Sequence, residues 1–241
     1  MQYSIISKLG NREINEDAAI YVKKENVEAY IVADGLGGHG YGEVASATVT
    51  QAIKEHIESA KIEDLDQLLR DAIEYAQKSL LEHQAKTGMR TEMKTTVVVL
   101  CADGENCCWA HVGDSRLYAF YKNKVKLRTL DHSIPQMLVM SGDISEKKIR
   151  NHPQRNMLLR VLGIEWDRPK YEVSDICRQE DYQAFLLCSD GFWELIEEKE
   201  MGKLLKKSES VEAWLSRMTE VVEKNGCKKD MDNYTAIAVW I

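Results

Sequence analysis

Acidic residues stand at the ends of four apolar, strand-like segments of this 241-residue chain. Each of them is an aspartate: Asp34 follows AYIVA, Asp114 follows WAHVG, Asp190 follows FLLCS, and Asp232 precedes YTAIAVWI. One such aspartate alone is better explained as a turn former or a helix cap. Four of them indicate that the strand ends bring carboxylates together, and a cleft that gathers so much negative charge requires a cation to balance it.

The ligand types at these positions favour a hard divalent cation. Carboxylate and carbonyl oxygens are the ligands of Mg²⁺ and Mn²⁺, and no cluster of histidine and cysteine that would favour zinc is apparent in the sequence. Asp34 is followed by GLGGHG (35–40), whose glycines would let the backbone, including the Gly35 carbonyl, approach an ion or a phosphate. A plain loop is the alternative explanation for these glycines. We expect an all-oxygen site for two metal ions.

Arg12, in the segment NREINED (11–17), is the basic residue next to the first acids. Its planar guanidinium group can bind two phosphoryl oxygens at once. A surface ion pair with Glu13 or Glu16 is the alternative.

The overall composition limits the possible partners. A net charge of -7 argues against nucleic-acid binding, which normally requires a basic face. No apolar stretch is long enough to span a membrane and no signal pattern opens the sequence, so we expect a cytoplasmic protein without membrane contact. The six cysteines form no CxxC pair and are expected to be free thiols, most of them buried. Without linkers or repeats, residues 1–241 are expected to form one domain and a monomer.

The elements that must position the acids are mostly strands. Apolar residues at helical spacing predict helices over 43–60, 64–85, 194–206 and 211–224. Strands in the middle of the chain and helices in pairs favour layered sheets faced by helices. Segments rich in β-branched and aromatic residues predict the strands: YSIIS (3–7), EAYIVAD (28–34), TTVVVLCA (95–102), CCWAHV (107–112), RLYAFY (116–121), KVKLRTL (124–130), QAFLLCS (183–189) and YTAIAVWI (234–241).

Seven motifs occur in order along the chain: REINED (12–17), VADGLGGHGYGEVAS (32–46), TTVVV (95–99), AHVGDSRLY (110–118), TLDHS (129–133), LLCSDGFWE (186–194) and DNYTAIAV (232–239). Together they resemble the motifs of the metal-dependent protein phosphatase family, the protein phosphatase 2C-like enzymes, in its bacterial branch. The resemblance covers essentially the whole chain. It implies an α+β fold, a four-layer α-β-β-α sandwich of two antiparallel sheets flanked by pairs of helices, with a variable flap at about 142–163.

The resemblance also assigns roles to the site residues. It implies two Mn²⁺ or Mg²⁺ ions, and a third, weaker metal site at Asp114. It makes Arg12 the phosphate-binding residue, and makes Asp17 an acid that supports a metal or its water, with Glu16 as the alternative. The ligands that it implies for the two ions are the bridging Asp34, the Gly35 carbonyl, Asp190 and Asp232.

One position departs from the family pattern. Leu36 stands where many eukaryotic members carry a general-acid histidine, and His39 lies three residues further on. For His39 a general-acid role and a loop or substrate-contact role both remain open.

The function implied by the resemblance is that of a metal-dependent serine/threonine protein phosphatase. Its substrates would be phosphoproteins, with a bacterial Ser/Thr kinase and that kinase's targets as partners, and a water bridging the two metals would attack phosphorus. No Cys-x5-Arg loop of a thiol-based phosphatase occurs in the sequence. The competing hypotheses are a phosphoprotein-binding module without turnover and a hydrolase of other phosphoesters.

Overall fold

The computed structural model describes residues 1–36, 41–88 and 92–241. Within these ranges the chain folds into strands that pair only with antiparallel neighbours, and into helices that lie outside them. The strands are β1 (Gln2–Lys8), β2 (Asp17–Lys24), β3 (Val27–Leu36), β4 (Lys94–Thr95), β5 (Val97–Ala102), β6 (Asn106–Val112), β7 (Arg116–Tyr121), β8 (Lys124–Arg128), β9 (Glu172–Val173), β10 (Cys177–Arg178), β11 (Ala184–Cys188) and β12 (Tyr234–Trp240). The helices are α1 (Tyr41–Ser59), α2 (Leu65–Thr87), α3 (Ile134–Met140), α4 (Asp190–Trp193), α5 (Glu198–Lys207) and α6 (Val211–Gly226).

The strands form two sheets. One has the order β1-β12-β11-β7-β8. The other has the order β10-β6-β5-β3-β2, with β4 paired to β3 and β9 paired to β6. The predicted α+β sandwich of two antiparallel sheets is therefore confirmed.

Both faces of each sheet are covered, and this explains why the central strands carry apolar residues on both faces. In β3, Ile31 packs under α1 and α2, whereas the adjacent Val32 enters the layer between the sheets. In β12, Ala236 packs under α5 and α6, and Ile237 enters the same central layer. Successive side chains of a strand point to opposite faces. Full burial of each of the larger aliphatic side chains contributes about 1.5–3 kcal/mol to folding.

Short hairpin turns set the register of the two sheets. The β5–β6 turn contains Gly104 at φ +95°, and Asp103 accepts hydrogen bonds from the backbone of Glu105 and Asn106. The β7–β8 turn places both Lys122 and Asn123 at positive φ, as tight two-residue hairpin turns require. Both turns fall in the gaps between segments that the sequence predicted to be strands.

Some elements differ from the sequence-based prediction. The predicted helix over 194–206 is wrong at its start, because α4 ends at Trp193 and α5 begins only at Glu198. The strand β2 was missed, since DAAIYVKK has two alanines of low strand propensity and no turn signal before it. The seven-residue α3 was missed because it is too short to display a helical period. None of the helices in the described ranges has the length and apolar character of a membrane span.

Candidate metal centre

The predicted acids meet at one edge of the sandwich. Asp34, Asp114, Asp190 and Asp232 all line a single cleft of about 530 Å³. The same cleft is lined by Gly35 and Arg12, and by Glu16. The prediction that the strand ends bring these carboxylates together is therefore confirmed for the four aspartates.

Strand pairing explains this convergence. β11 and β12 are antiparallel neighbours with Cys188 opposite Ala236, so the end of β11 at Asp190 adjoins the start of β12 near Asp232. In the other sheet β5 lies between β3 and β6, which therefore run in the same direction and end at the same edge. Asp34 lies near the end of β3, and Asp114 follows the end of β6.

Asp34 is held through its backbone by the two threonines of the TTVVV segment. The Thr96 hydroxyl accepts a hydrogen bond from the Asp34 N–H at 3.1 Å. The Thr95 hydroxyl and the Thr96 N–H both donate to the Asp34 carbonyl oxygen at 2.9 Å. The backbone polar groups are thus satisfied, which leaves the carboxylate free to face the cleft.

Asp17 lies directly behind the cleft rather than in its wall. It pairs with Asp34 across β2 and β3, and its carboxylate accepts a hydrogen bond from the Ser189 hydroxyl at 2.7 Å. Burial, with the charges of Asp190 and Asp232, raises the pKa of Asp17 to about 7, although hydrogen bonds from Ser189 and Thr235 work against the rise. This arrangement suits an acid that supports the site from the second layer.

Glu16, the alternative to Asp17, does line the cleft. Burial is the main reason why the pKa of its carboxyl is raised. The Glu16 carbonyl is held by two hydrogen bonds, one from the Ser46 hydroxyl at 2.6 Å and one from the Gly35 N–H at 3.0 Å. Both acids therefore lie within the region of the site, in different layers.

Three acids of the cleft, Asp34, Asp114 and Asp190, are only partly balanced by basic groups of the described residues. Burial raises the pKa of Asp34 and of Asp114 well above the usual range, and the negative charge of Asp190 adds to both. Burial and the charge of Asp232 raise the pKa of Asp190 to about 6. A divalent cation would offset this repulsion, and the oxygen-only donor set suits Mg²⁺ or Mn²⁺. The residues present therefore fit the implied metal ions.

Arg12 pairs with a candidate ligand rather than with its neighbours in sequence. Its Nε and Nη2 donate to the two carboxylate oxygens of Asp232 at 3.0 and 3.1 Å. Both side chains are nearly half exposed, at 45% and 47%. An ion pair of such exposure contributes at most about 1 kcal/mol, so the guanidinium group can exchange it for a phosphate at small cost.

Gly35 has a packing role that the sequence did not indicate. A Cβ atom there would collide with the Gly42 carbonyl in the first turn of α1, so only glycine allows β3 and α1 to approach this closely. His39 and the glycines at 37, 38 and 40 lie outside the described residues. The proposed role of the Gly35 carbonyl as a ligand remains a prediction.

Asn233 is a residue of the site that the sequence-based reasoning missed. Its side-chain oxygen accepts from the Glu16 N–H at 2.8 Å, and its Nδ2 donates to the carbonyls of Leu9 and Ile14 at 2.9 and 3.0 Å. It therefore ties the segment that carries Arg12 to the start of β12. Its position directly after Asp232 was the only available signal.

The proposed flap, 142–163, contributes to the cleft wall through Asn156 and Leu158. It contains one 3₁₀ turn, Glu146–Asn151. Isolated bridges connect Leu158 to Ser133, just before α3, and Leu162 to Thr95 in β4. Sequence alone gave no reason to expect these contacts.

A second cluster with metal-ligand residue types lies outside the lining of this cleft. His111, His132 and Glu172 place ligand atoms within 4.8 Å of one another. The Gly113 N–H donates to His132 Nδ1 at 3.1 Å, so the proton of that neutral ring belongs on Nε2, which faces Glu172 at 3.1 Å. His111 Nε2 lies 2.8 Å from the Leu130 carbonyl and must donate to it. These hydrogen bonds occupy both ring nitrogens of His132 and Nε2 of His111.

Comparisons with known proteins agree with this fold. The model of the family described as Protein phosphatase 2C matches residues 7–234. The serine/threonine phosphatase stp of Listeria welshimeri serovar 6b is 34% identical over 235 residues, which cover 95% of this chain and 90% of that protein.

Solved structures lead to the same family. Serine/threonine phosphatase Stp1 from Staphylococcus aureus matches with a TM-score of 0.89 at 29% identity, over 100% of this chain and 94% of that chain. The catalytic domain of the serine threonine protein phosphatase PstP in complex with 2 manganese ions matches with a TM-score of 0.82 at 26% identity, over 99% and 97%. The chain belongs to the protein phosphatase 2C family. Its activity is that of a metal-dependent serine/threonine protein phosphatase.

Proposed function

We propose that the phosphatase holds two Mn²⁺ or Mg²⁺ ions in the acid-lined cleft and hydrolyses phosphoserine and phosphothreonine monoesters there. The ligands would be Asp34, the Gly35 carbonyl, Asp190 and Asp232, with Asp114 at a third, weaker position. The single observation that carries the proposal is the convergence of four carboxylates in one cleft, where burial and neighbouring charges raise the pKa of Asp34, Asp114 and Asp190. When bound, ions of this kind supply an activated water and offset charge on phosphoryl oxygens.

The residues of the chain prepare this chemistry by position and charge. Thr95 and Thr96 fix the backbone of Asp34, so that its carboxylate needs little reorganisation when a cation is present. Asp17 lies behind Asp34 and accepts a hydrogen bond from the Ser189 hydroxyl. This hydrogen bond ties β2 to the end of β11 in the other sheet. No covalent enzyme intermediate is part of the proposal.

Arg12 would orient the phosphate. Its guanidinium group reaches the cleft and already makes a two-point contact with carboxylate oxygens, the geometry that a phosphoryl group also accepts. Asn233 fixes the segment before Asp17, and with it the distance between Arg12 and the acids. A phosphate bound by Arg12 would thus lie beside the ligands.

We place the enzyme in the cytoplasm as a monomer that acts on phosphoproteins, including a bacterial Ser/Thr kinase and its targets. The similarity to bacterial serine/threonine phosphatases supports this partner class. All six cysteines are free thiols, which suits a reducing compartment.

The proposal is tested by the hydrolysis of a phosphothreonine peptide after exhaustive chelation. We expect no turnover in EDTA, recovery with Mn²⁺ or Mg²⁺, and slower turnover of a phosphodiester such as bis(4-nitrophenyl) phosphate. Asp34→Asn should lose nearly all the recovered activity, whereas Glu58→Gln, on the exposed side of α1, should keep it. Full activity without metal, or an unaffected Asp34→Asn enzyme, would contradict the proposed site.

A further inference from the structure

Trp193 links two segments that carry candidate metal ligands. It is the last residue of α4, the short helix that begins with Asp190, and its side chain is buried at 2% exposure. Its indole Nε1 donates a hydrogen bond to the main-chain oxygen of Asp114 at 3.0 Å. Asp190 and Asp114 follow β11 and β6, which belong to different sheets. The indole therefore bridges the two sheets at the cleft.

The orientation of the indole is fixed by Arg116. The guanidinium carbon of Arg116 lies 3.4 Å from the centroid of the Trp193 ring. Arg116 is itself held by two hydrogen bonds of 2.7 Å to Asp131 and by one of 2.9 Å to the Tyr118 hydroxyl. A cation stacked on an aromatic ring is most favourable when both are withdrawn from water, as here. The ring therefore cannot turn without breaking this stack.

Arg150, a residue of the flap, holds the main chain at the end of α4. Arg150 donates to the carbonyl oxygens of Trp193 at 3.2 Å and Ile196 at 3.1 Å, and pairs with Glu198 at 2.8 Å. These contacts fix the end of the helix whose first residue is Asp190. The side chain of Trp193 is thus held by Asp114 and Arg116, and its main chain is held by Arg150.

The carboxylates on the two linked segments repel each other when both are charged. The hydrogen bond from the Trp193 indole to the Asp114 main-chain oxygen joins the Asp114 segment to α4 and opposes this repulsion. We propose that the indole N–H of Trp193 is a positioning group that keeps Asp114 within reach of a cation shared with Asp190. This inference rests on the proposed metal site and extends it to a residue that touches neither metal nor substrate.

The test is Mn²⁺ titration calorimetry on Trp193→Phe, which keeps an aromatic ring against Arg116 and removes the N–H. Loss of one hydrogen bond should weaken the weakest Mn²⁺ binding event by about three- to tenfold and leave the stronger events unchanged. In an Asp114→Asn background, Trp193→Phe should have no further effect on Mn²⁺ affinity. A general loosening of the core would add its effect in that background.

Trp214→Phe is the matched control. Trp214 is also fully buried and donates from its indole to a carbonyl, that of Met201 at 3.1 Å, but it lies in the core under α5 and α6. Trp214→Phe should leave all Mn²⁺ events unchanged. If Trp193→Phe does not fold, replacement of Trp193 by 3-benzothienylalanine removes the N–H while keeping both rings.

The outcomes separate this inference from the proposed function. Unchanged binding in the Trp193 variants, or equal weakening with and without Asp114, would overturn the positioning role while leaving the metal site intact. If the wild-type protein bound no Mn²⁺, or if Asp190→Asn bound it normally, the proposed metal site itself would fail.

Discussion

Asp131, the buried partner of Arg116, and the buried acids of the cleft differ in how their negative charge is balanced. Asp131 is almost fully buried and meets Arg116 in a two-point contact, with both oxygens at 2.7 Å. Asp34, Asp114 and Asp190 border the cleft, and burial and mutual repulsion raise the pKa of each. Proteins pair the buried charges that serve structure, because unpaired ones are costly. Carboxylates left short of positive charge around a cleft therefore indicate a site for a ligand.

The largest effect on stability should come from breaking the paired group. Asp131→Asn leaves the buried Arg116 charge without its partner, so we expect a loss of about 3–5 kcal/mol in the free energy of unfolding. Urea denaturation in the presence of EDTA measures this loss. A cost below about 1 kcal/mol would mean that the two groups of acids do not differ as described.

An exposed pair should behave in the opposite way, with an effect on catalysis and little on stability. Arg12→Ala removes a charge-assisted contact to phosphate worth on the order of 1.5–3 kcal/mol, or roughly ten- to a hundredfold in kcat/KM. Arg12→Lys should recover only part of it, because lysine lacks the planar fork. The unfolding free energy should change by less than about 1 kcal/mol, since the pair with Asp232 is exposed.

The control for Arg12 is Arg70, which forms an equally exposed two-point pair with Asp66 on α2, at 2.6 and 2.9 Å. Arg70→Ala should leave kcat/KM for a phosphothreonine peptide and the Mn²⁺ affinity unchanged. If Arg12→Ala resembles Arg70→Ala in kcat/KM, or weakens Mn²⁺ binding as much as Asp34→Asn does, the phosphate is held elsewhere.

The comparison also explains which parts of the site the sequence could predict. Asp34, Asp114, Asp190 and Asp232 were found because each stands at the end of an apolar strand, which is a local pattern. Antiparallel pairing brings two of these ends together within each sheet, and the packing of the two sheets brings both pairs to one cleft. Local patterns of this kind also predicted most of the strands and helices. Among the exceptions, β2 has a weak strand pattern, and α3 is too short to display a helical period.

The supporting contacts could not be predicted, because they join residues far apart in the chain. Asn233 meets Glu16 across 217 positions, and Ser189 meets Asp17 across 172. The stack of Arg116 on Trp193 has no sequence signature, since a tryptophan alone suggests a core residue and an arginine alone suggests a surface residue. Strand pairing places Glu172 beside His111, and the loop after β8 brings His132 to them. Positions of this kind depend on register, which the sequence does not specify.

The raised pKa values of the cleft acids also predict a pH dependence of stability in the metal-free protein. Burial and neighbouring charges raise the pKa of Asp190 to about 6 and that of Asp17 to about 7. The folded state therefore holds protons that the unfolded chain has released, and these groups stabilise the fold at low pH. That contribution should be fully present below about pH 4 and lost as the pH rises through about 6 to 7.

The most direct test of the central claim, that the cleft acids lack positive charge because a cation supplies it, combines this pH dependence with metal. The unfolding free energies of the wild type and Asp190→Asn are measured from pH 4 to 8, first in EDTA and then with Mn²⁺. We expect the wild type to lose stability in EDTA as pH rises and to regain it with Mn²⁺ near pH 7.5. Asp190→Asn should show a flatter pH profile and little gain from Mn²⁺. Parallel pH profiles with equal stabilisation by Mn²⁺ would contradict the account.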